Sequence, residues 1–257
     1  MSYFDDRVVL ITGAGHGIGQ AAAKRLATAG ARLALADIDH DSVEQVTAGL
    51  NEGQGKVFEL DVTRPDQVQT TVDAVVQSFG RLTDLVNCAG GVSGLAHPHR
   101  RSIESLPLEE WDAAFDLNVK SVFLCSRAAV PALRAAGGGA IVNVSSSAAR
   151  QGSVQAGPAY VASKAAVIGL TRQMASSLAR YRIRVNAIAP GGTESERFLR
   201  AMADRSAEDV AAGLARIPLG RHGYPADMAA AIQFLLSDDS AYITGCTLDV
   251  NGGIWFA

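Results

Sequence analysis

Residues 8–27 read VVLITGAGHGIGQAAAKRLA, and this stretch decides the fold of the 257-residue chain. Residues 8–11 form a short apolar run typical of a strand buried on both faces. A glycine-rich turn follows, and residues 20–27 are strong helix formers. A strand, a glycine turn and a helix in this order direct backbone N–H groups and the positive helix end toward a phosphate, and only glycine allows so close an approach. We therefore predict phosphate binding at this turn.

The glycine spacing is GxxxGxG from Gly13, not the general dinucleotide-binding pattern GxGxxG, because Ile18 stands where that pattern has its third glycine. Residues 32–36 form the next predicted strand, and Asp37 follows it about 20 positions beyond the turn. A carboxylate there accepts hydrogen bonds from the adenosine ribose diol and repels a 2′-phosphate. We therefore predict NAD rather than NADP as the cofactor.

Strands and helices continue to alternate along the chain. Further strands are predicted at 56–60, 82–86, 140–145, 184–189 and 247–250. This alternation predicts a parallel, doubly wound α/β sheet in one domain, with its ligands at the carboxyl ends of the strands. Asp61 and Val62 follow the third strand, where they can meet an adenine amino group.

Two later segments bear on the site. Residues 109–131 form a predicted long helix containing Asn118, whose side chain faces either solvent or the site. Residues 193–216 are polar with scattered apolar positions, which predicts two short helices over the sheet edge. We interpret them as a lid, and lids usually carry substrate specificity.

The candidate chemistry lies in Ser145-Ser146-Ser147 and in a tyrosine and a lysine four residues apart, Tyr160 and Lys164. Residues at i and i+4 lie one above the other on a helix, so the ammonium can sit beside the phenol and lower its pKa. Tyr160 could then exchange a proton with a substrate hydroxyl. A serine at the carboxyl end of the 140–145 strand could hold the substrate oxygen.

Composition indicates a small-molecule partner. The net charge is −3, so no positive field draws the chain to nucleic acid or to an anionic membrane. The three cysteines, Cys88, Cys125 and Cys246, form no CxxC pair, which argues against zinc and against a disulfide framework. We expect no metal.

The chain shows no targeting segment and no apolar run of the roughly 18 residues that span a bilayer, so we expect a cytoplasmic protein. The basic loop 97–101 is either solvated or receives an anionic substrate.

Taken together, residues 12–19, Asn87-Cys88-Ala89-Gly90, Asn118, the Ser146 region, Tyr160 with Lys164, and Pro190-Gly191 resemble the classical short-chain dehydrogenase/reductase family. The resemblance covers essentially the whole chain. It implies seven parallel strands, Tyr160 as general acid/base, and Lys164 lowering the tyrosine pKa while holding the nicotinamide ribose. It also implies that Asn118 helps to hold a water linked to Lys164. A homotetramer is implied, with the Asn118 and Tyr160 helices at one interface.

Three positions need a choice. Cys88 stands where the family has a second asparagine, which should matter little because Cys88 is small and the turn glycine is kept. Family members usually place the catalytic serine 13 residues before the tyrosine. That spacing selects Ser147, whereas counting from the end of the strand selects Ser146. We choose Ser146, because a loop absorbs an extra residue more easily than a strand end does. Ser195 aligns best with the family's carboxamide-binding hydroxyl, and Thr193 is the reserve.

The catalytic residues predicted are Asn118, Ser146, Tyr160 and Lys164. The cofactor-binding residues predicted are Gly13, Gly15, His16, Gly17, Ile18, Gly19, Asp37, Ile38, Asp61, Val62, Asn87, Ala89, Gly90, Tyr160, Lys164, Pro190, Gly191, Thr193 and Ser195.

These expectations together describe an NAD-dependent oxidoreductase that transfers a hydride between nicotinamide and a secondary alcohol or ketone. A 3-oxoacyl thioester reductase of the same family is the main alternative, although such relatives commonly prefer NADPH, which Asp37 disfavours. A non-catalytic dinucleotide sensor need not keep Ser, Tyr and Lys together. An epimerase or dehydratase with retained cofactor would leave the cofactor redox state unchanged after turnover.

Overall fold

A computed structural model describes residues 4–92, 102–153, 156–203 and 205–256. Seven strands form one parallel sheet in the order β3-β2-β1-β4-β5-β6-β7. The strands are β1 Val8–Thr12, β2 Arg32–Asp37, β3 Gly55–Glu59, β4 Asp84–Asn87, β5 Gly139–Val144, β6 Ile183–Pro190 and β7 Thr247–Val250. The predicted doubly wound sheet of seven parallel strands is confirmed.

Helices cover both faces of the sheet. They are α1 Gly17–Thr28, α2 His40–Ala48, α3 Pro65–Phe79, α4 Leu108–Phe115, α5 Ser121–Ala135, α6 Ala148–Gln151, α7 Pro158–Leu178, α8 Glu196–Met202, α9 Ala207–Ala215 and α10 Pro225–Leu236. Successive strand residues point to opposite faces, so β1 sends Leu10 into one core, shared with α3, α5 and α7, and Ile11 into another, shared with α1, α2 and α10.

The long helix expected over 109–131 is interrupted. A π-helical turn, Asp116–Lys120, separates α4 from α5, and Asn118 lies inside it. Single-turn π segments within helices occur frequently at functional sites. The extra residue shifts the helical period, and Asn118 is completely buried. The question of which way this side chain faces is thereby settled toward the interior.

The segment expected to form a lid contains α8 and α9, the two short helices that were predicted. Their role as a lid remains a prediction. The basic loop 97–101 lies outside the described residues. Among the described residues, no helix combines the length and the apolar character needed to cross a bilayer.

Candidate active site

Two turns meet at the carboxyl edge of the sheet. The hydroxyl of Thr12, at the end of β1, accepts hydrogen bonds from the backbone N–H groups of Cys88 and Ala89, both at 3.2 Å. A Cβ built on Gly13 would lie 2.7 Å from the Ala89 nitrogen. Gly13 also has a φ of +69°, which side-chain-bearing residues rarely adopt. A glycine is therefore required where the turn after β1 packs against the turn after β4.

The first of these turns presents the amino terminus of α1. The N-cap residue His16 makes no side-chain cap hydrogen bond, and the first turn of the helix contains no acidic residue. A Cβ on Gly19 would overlap the Gly13 carbonyl oxygen, while Ile18 packs against the core. Free N–H groups and a positive helix end without a competing carboxylate fit a pyrophosphate.

Carboxylates cluster beyond the end of β2. Asp37 accepts hydrogen bonds from the backbone N–H of Gly15 at 3.0 Å and of Asp39 at 3.2 Å. Asp39 caps α2 by accepting from Ser42, and His16 lies 3.0 Å from its other oxygen. These hydrogen bonds lower the pKa of Asp39 to about 2, with the Ser42 hydroxyl the largest cause. The expected Asp37 site therefore includes a second, ionised acid that the sequence reading missed.

The residues expected near an adenine lie on the same side of the sheet. Ile38, next to Asp37, is two-thirds exposed. Asp61 accepts from the backbone N–H and the hydroxyl of Thr63, at 2.9 and 2.7 Å, and Val62 is buried. Because β3 is the neighbour of β2, the carboxyl end of β3, which Asp61 and Val62 follow, lies beside Asp37. The exposed Ile38 and the half-buried Asp61 fit the rim of a nucleotide site.

The turn after β4 is held by asparagines. Asn87 donates from its Nδ2 to Asn143 at 2.8 Å and to Ser126 at 3.1 Å, while its buried Oδ1 has no partner among the described residues. Burial raises the pKa of the neighbouring Cys88 thiol to about 12, so this thiol is not a nucleophile. Asn87 therefore keeps an acceptor unused at the place where a cofactor is expected.

Asn118 fixes the end of that turn. Its Oδ1 accepts from the Gly91 N–H at 2.8 Å, and its Nδ2 donates to the Gly91 carbonyl at 2.9 Å and to the Ser163 hydroxyl at 3.2 Å. A Cβ on Gly90 would lie 2.8 Å from the Asn118 Oδ1 and 3.1 Å from the Lys164 Nζ. Asn118 thus joins the turn to α7 and brings Gly90 against the lysine.

Lys164 is a buried cation. Its side chain donates to the Val144 carbonyl at the end of β5 at 2.8 Å, and its own carbonyl accepts from the Ser145 hydroxyl at 2.8 Å. Burial lowers the pKa of Lys164 to about 8. The nearby Arg197 charge adds to this lowering, whereas Cys88 opposes it. The side-chain amine of Lys164 therefore loses its proton in the mildly alkaline range.

The structure brings Ser146, and not Ser147, to Tyr160. The Ser146 hydroxyl hydrogen-bonds the Tyr160 phenol and also accepts from the Ala148 N–H at 3.1 Å. Ser147 is buried, and its N–H donates to the Pro190 carbonyl at 2.8 Å. Of the two neighbouring serines, Ser146 is the one that hydrogen-bonds the phenol.

The effect expected of Lys164 on the Tyr160 pKa stays a prediction. The pKa of Tyr160 is raised above its ordinary value because the phenol is taken out of water. Two partners lower it, the Ser146 hydroxyl and the charge of Arg197. The Lys164 Nζ lies 5.9 Å from the tyrosine ring centroid and is bonded to Val144. In this structure, the groups that favour the phenolate are therefore Ser146 and Arg197.

The segment after β6 packs on the glycine turn. Pro190 ends β6, and the Gly191 N–H pairs with Val250 of β7. Thr193 is buried and donates to the Gly191 carbonyl at 3.1 Å. The Ser195 hydroxyl caps α8, and a Cβ on Gly17 would lie 3.2 Å from the Ser195 Cβ. Ser195 is the hydroxyl residue that meets the turn after β1.

Arg197 is the site residue that the sequence reading did not single out. It lies in the first turn of α8, inside the segment expected to form a lid, and its Nη1 donates to the Gly90 carbonyl at 3.1 Å. The only sequence signal for Arg197 was its position in the predicted lid segment, because 107 positions separate Arg197 from Gly90.

Comparisons with known proteins agree with this geometry. A family described as Enoyl-(Acyl carrier protein) reductase matches residues 13–255. A 3-oxoacyl-(acyl-carrier-protein) reductase of Thermotoga maritima is 38% identical over 97% of this chain and 98% of its own length. An NAD-dependent glycerol dehydrogenase of Listeria innocua is 36% identical over 96% of this chain and 93% of its own. The structure of a short-chain type dehydrogenase/reductase from Mycobacterium ulcerans superposes with a TM-score of 0.89 at 34% identity, covering 98% of this chain and 90% of that one.

The lowered pKa of Lys164 predicts how stability depends on pH. A buried lysine whose folded pKa is depressed costs stability in full below that pKa, and the cost is relieved as pH rises toward the unfolded value. Relative to Lys164→Met, the wild type should gain about 2 kcal/mol in free energy of unfolding between about pH 7 and pH 9.5.

Urea denaturation of both proteins at the two pH values measures this gain. Lys24→Met, which changes an exposed lysine of α1, is the matched control and should show no such pH-dependent difference. A constant difference between wild type and Lys164→Met would show that the ammonium is not desolvated.

Proposed function

The chain belongs to the short-chain dehydrogenase/reductase family, and on this basis we propose that it transfers a hydride between NAD and a secondary alcohol or the corresponding ketone. Members of this family are oxidoreductases that act on CH–OH groups with a nicotinamide cofactor. The observation that carries the proposal is the meeting of Ser146, Tyr160 and Lys164 at the sheet edge that also carries the glycine turn and Asp37.

Each catalytic side chain has a proposed role. Tyr160 exchanges a proton with the substrate hydroxyl. The Ser146 hydroxyl, which hydrogen-bonds the phenol in this structure, would hold the same substrate oxygen. Lys164 binds the nicotinamide ribose from its position below Gly90. Asn118 positions the Gly90–Gly91 turn, and the water that the family resemblance places beside it belongs to the same proposal. When bound, the cofactor supplies the hydride acceptor or donor.

The cofactor site is proposed along the same edge. The turn after β1 and the start of α1 hold the pyrophosphate, the end of β2 holds the adenosine ribose, and the ends of β4 and β6 hold the nicotinamide half. The residues proposed are Gly13, Gly15, His16, Gly17, Ile18, Gly19, Asp37, Ile38, Asp61, Val62, Asn87, Ala89, Gly90, Pro190, Gly191, Thr193 and Ser195.

A preference for NAD is supported by Asp37 and Asp39. A 2′-phosphate would approach two carboxylates, and the neighbouring His16 already lies against Asp39. Two like charges about 4 Å apart repel by roughly 4 kcal/mol at an effective dielectric of 20. The name of the Listeria innocua relative supports the same preference.

Reduction of a 3-oxoacyl thioester is the second candidate. It is favoured by the name of the Thermotoga maritima relative. This candidate shares the proposed catalytic residues, so the substrate distinguishes it from the first.

We also propose how the chain is organised in the cell. Residues 193–216 would act as the lid of a single domain, and the three cysteines, all free in the structure, suit a reducing cytoplasm. A homotetramer would pack α7 against a second copy of the chain. The small residues of α7, Ala162, Ala165, Ala166 and Gly169, support this packing because they would let another helix approach closely.

The cofactor prediction concerns Asp37. The wild type should bind NADH about a hundredfold more tightly than NADPH, and Asp37→Ser should reduce the ratio at least tenfold because it removes both the ribose acceptor and the repulsion. Quenching of protein fluorescence by each cofactor gives the affinities. Asp41→Ser, an exposed acid in the first turn of α2, is the control and should leave the ratio unchanged. Tighter NADPH binding by the wild type would contradict the assignment and favour the thioester reductase.

The catalytic prediction separates the two serines. Tyr160→Phe and Ser146→Ala should each lower kcat at least a hundredfold, since each removes a group that contacts the reacting oxygen, while NADH affinity changes less than about threefold. Ser147→Ala is the matched control and should retain kcat within about threefold. A panel of secondary alcohols with NAD, followed by NADH absorbance, measures turnover. A near-normal rate for Tyr160→Phe would rule out its proposed role.

The oligomer prediction uses two open glycines. Gly169→Arg should convert the tetramer to smaller species, because a charged side chain would enter the α7 interface. Gly213→Arg on α9, where a Cβ also meets nothing within 4 Å, is the matched control and should stay tetrameric. Sedimentation velocity gives the masses. If the wild type is monomeric, or if Gly169→Arg remains a tetramer, the proposed interface is wrong.

A further inference from the structure

Arg197 is an exposed residue of α8 whose guanidinium reaches the turn after β4. Its Nη1 donates to the Gly90 carbonyl at 3.1 Å, and a Cβ built on Gly91 would overlap its guanidinium. The guanidinium therefore lies directly on the Gly90–Gly91 turn. The same turn contacts Asn118 through Gly91 and Lys164 through Gly90.

The charge of Arg197 acts on the proposed reaction centre. It lowers the pKa of Tyr160 and that of Lys164, and it lowers the pKa of the Cys88 thiol against the effect of burial. Two cations, Arg197 and Lys164, are thus held close enough to disfavour one another. Like charges so placed raise the free energy of the empty site, and an anion bound between them would lower it.

Arg197 has no ion-pair partner in the described part of the chain. Its neighbours on the same segment are engaged elsewhere: Arg200 pairs with Glu196, and Glu194 lies 3.7 Å from the His222 ring. A guanidinium has five N–H donors in a planar fork that matches a carboxylate, phosphate or sulfonate. Because the hydrogen bond to Gly90 uses one nitrogen, donors remain for such a group.

We propose that the substrate carries an anionic group and that Arg197 binds it while Ser146 and Tyr160 hold the reacting oxygen. This inference rests on the proposed function, since it names the substrate class of the same site. The anionic group would lie near the reacting carbon, because Arg197 bonds the Gly90 carbonyl and Lys164 lies against the same glycine. Arg197 is a specificity-determining residue in this assignment and takes no part in proton transfer.

A binding experiment tests the inference without knowledge of the substrate. The full chain saturated with NADH is titrated with butanoate, butyl phosphate and butanesulfonate, and with butanamide as the uncharged probe, and NADH fluorescence is followed. At least one anion should bind tenfold or more tightly than butanamide, since a hydrogen-bonded charge pair contributes roughly that factor or more. The anion that binds most tightly identifies the class of acid.

The variants locate the effect. Arg197→Met should lose the preference for the anion at least tenfold and leave butanamide binding within about twofold, whereas Arg197→Lys should keep part of it. Arg200→Met, three residues further along α8, is the matched control and should behave as the wild type. Equal binding of anions and butanamide by the wild type, or an anion preference that survives in Arg197→Met, would overturn the inference.

Two further readouts separate this inference from the proposed function. NADH affinity in Arg197→Met should stay within about twofold of the wild type, and a tenfold loss would mean that Arg197 holds the cofactor and would overturn the inference. With ketones offered as carboxylate and methyl ester pairs, Arg197→Met should raise KM for the carboxylate more than it lowers kcat. Equal kcat/KM for both members of a pair in the wild type contradicts the inference alone. Anion binding with no hydride transfer to any ketone contradicts the proposed function alone.

Discussion

A buried ammonium on Lys164 is the constraint on which the site depends. An isolated cation taken out of water is costly, so every group around it must either bond it or stay small. The Val144 carbonyl bonds it, and Gly90 leaves the space that it occupies. Because β5 delivers the carbonyl and β4 delivers the glycine, the lysine can be housed only where these two strands end side by side. The remaining functional side chains are arranged around that point.

The sheet supplies the required alignment through its register. Asn87 of β4 lies opposite Asn143 of β5, and their side chains are hydrogen-bonded, so the two strands end at one level. β5 and β6 stay paired to Val144 and Ile188, and the Ser147 N–H continues this pairing to Pro190. That last bond fixes the backbone of Ser147 against β6, and the neighbouring Ser146 is the serine that hydrogen-bonds the phenol of α7. Backbone pairing thus continues three residues beyond the end of β5.

Local patterns were enough to predict the alternating elements and the glycine turn, because each depends on residues that are close in sequence. The strand after the turn, the lid helices and Asp37 were found in this way. The buried orientation of the Asn118 side chain was not predicted, because a π turn shifts the helical period there. Nothing in the sequence pattern of residues 109–131 indicates that extra residue. The raised pKa of Tyr160 was also missed, since the burial that raises it arises only when distant segments pack together.

Charge is divided along the sheet edge, and this division gives the site a direction. The carboxylates of Asp37 and Asp39 follow β2, whereas Lys164 and Arg197 meet beyond β4 and β5. In the order β2-β1-β4-β5, three strand spacings of about 4.8 Å separate the two ends by roughly 14 Å. An unmodified ribose suits the acidic end, and the anionic part of a substrate suits the basic end. Because the uncapped start of α1 lies between them, one extended dinucleotide can place its ribose at the acidic end and its pyrophosphate at the helix start, which directs its nicotinamide toward the substrate at the basic end.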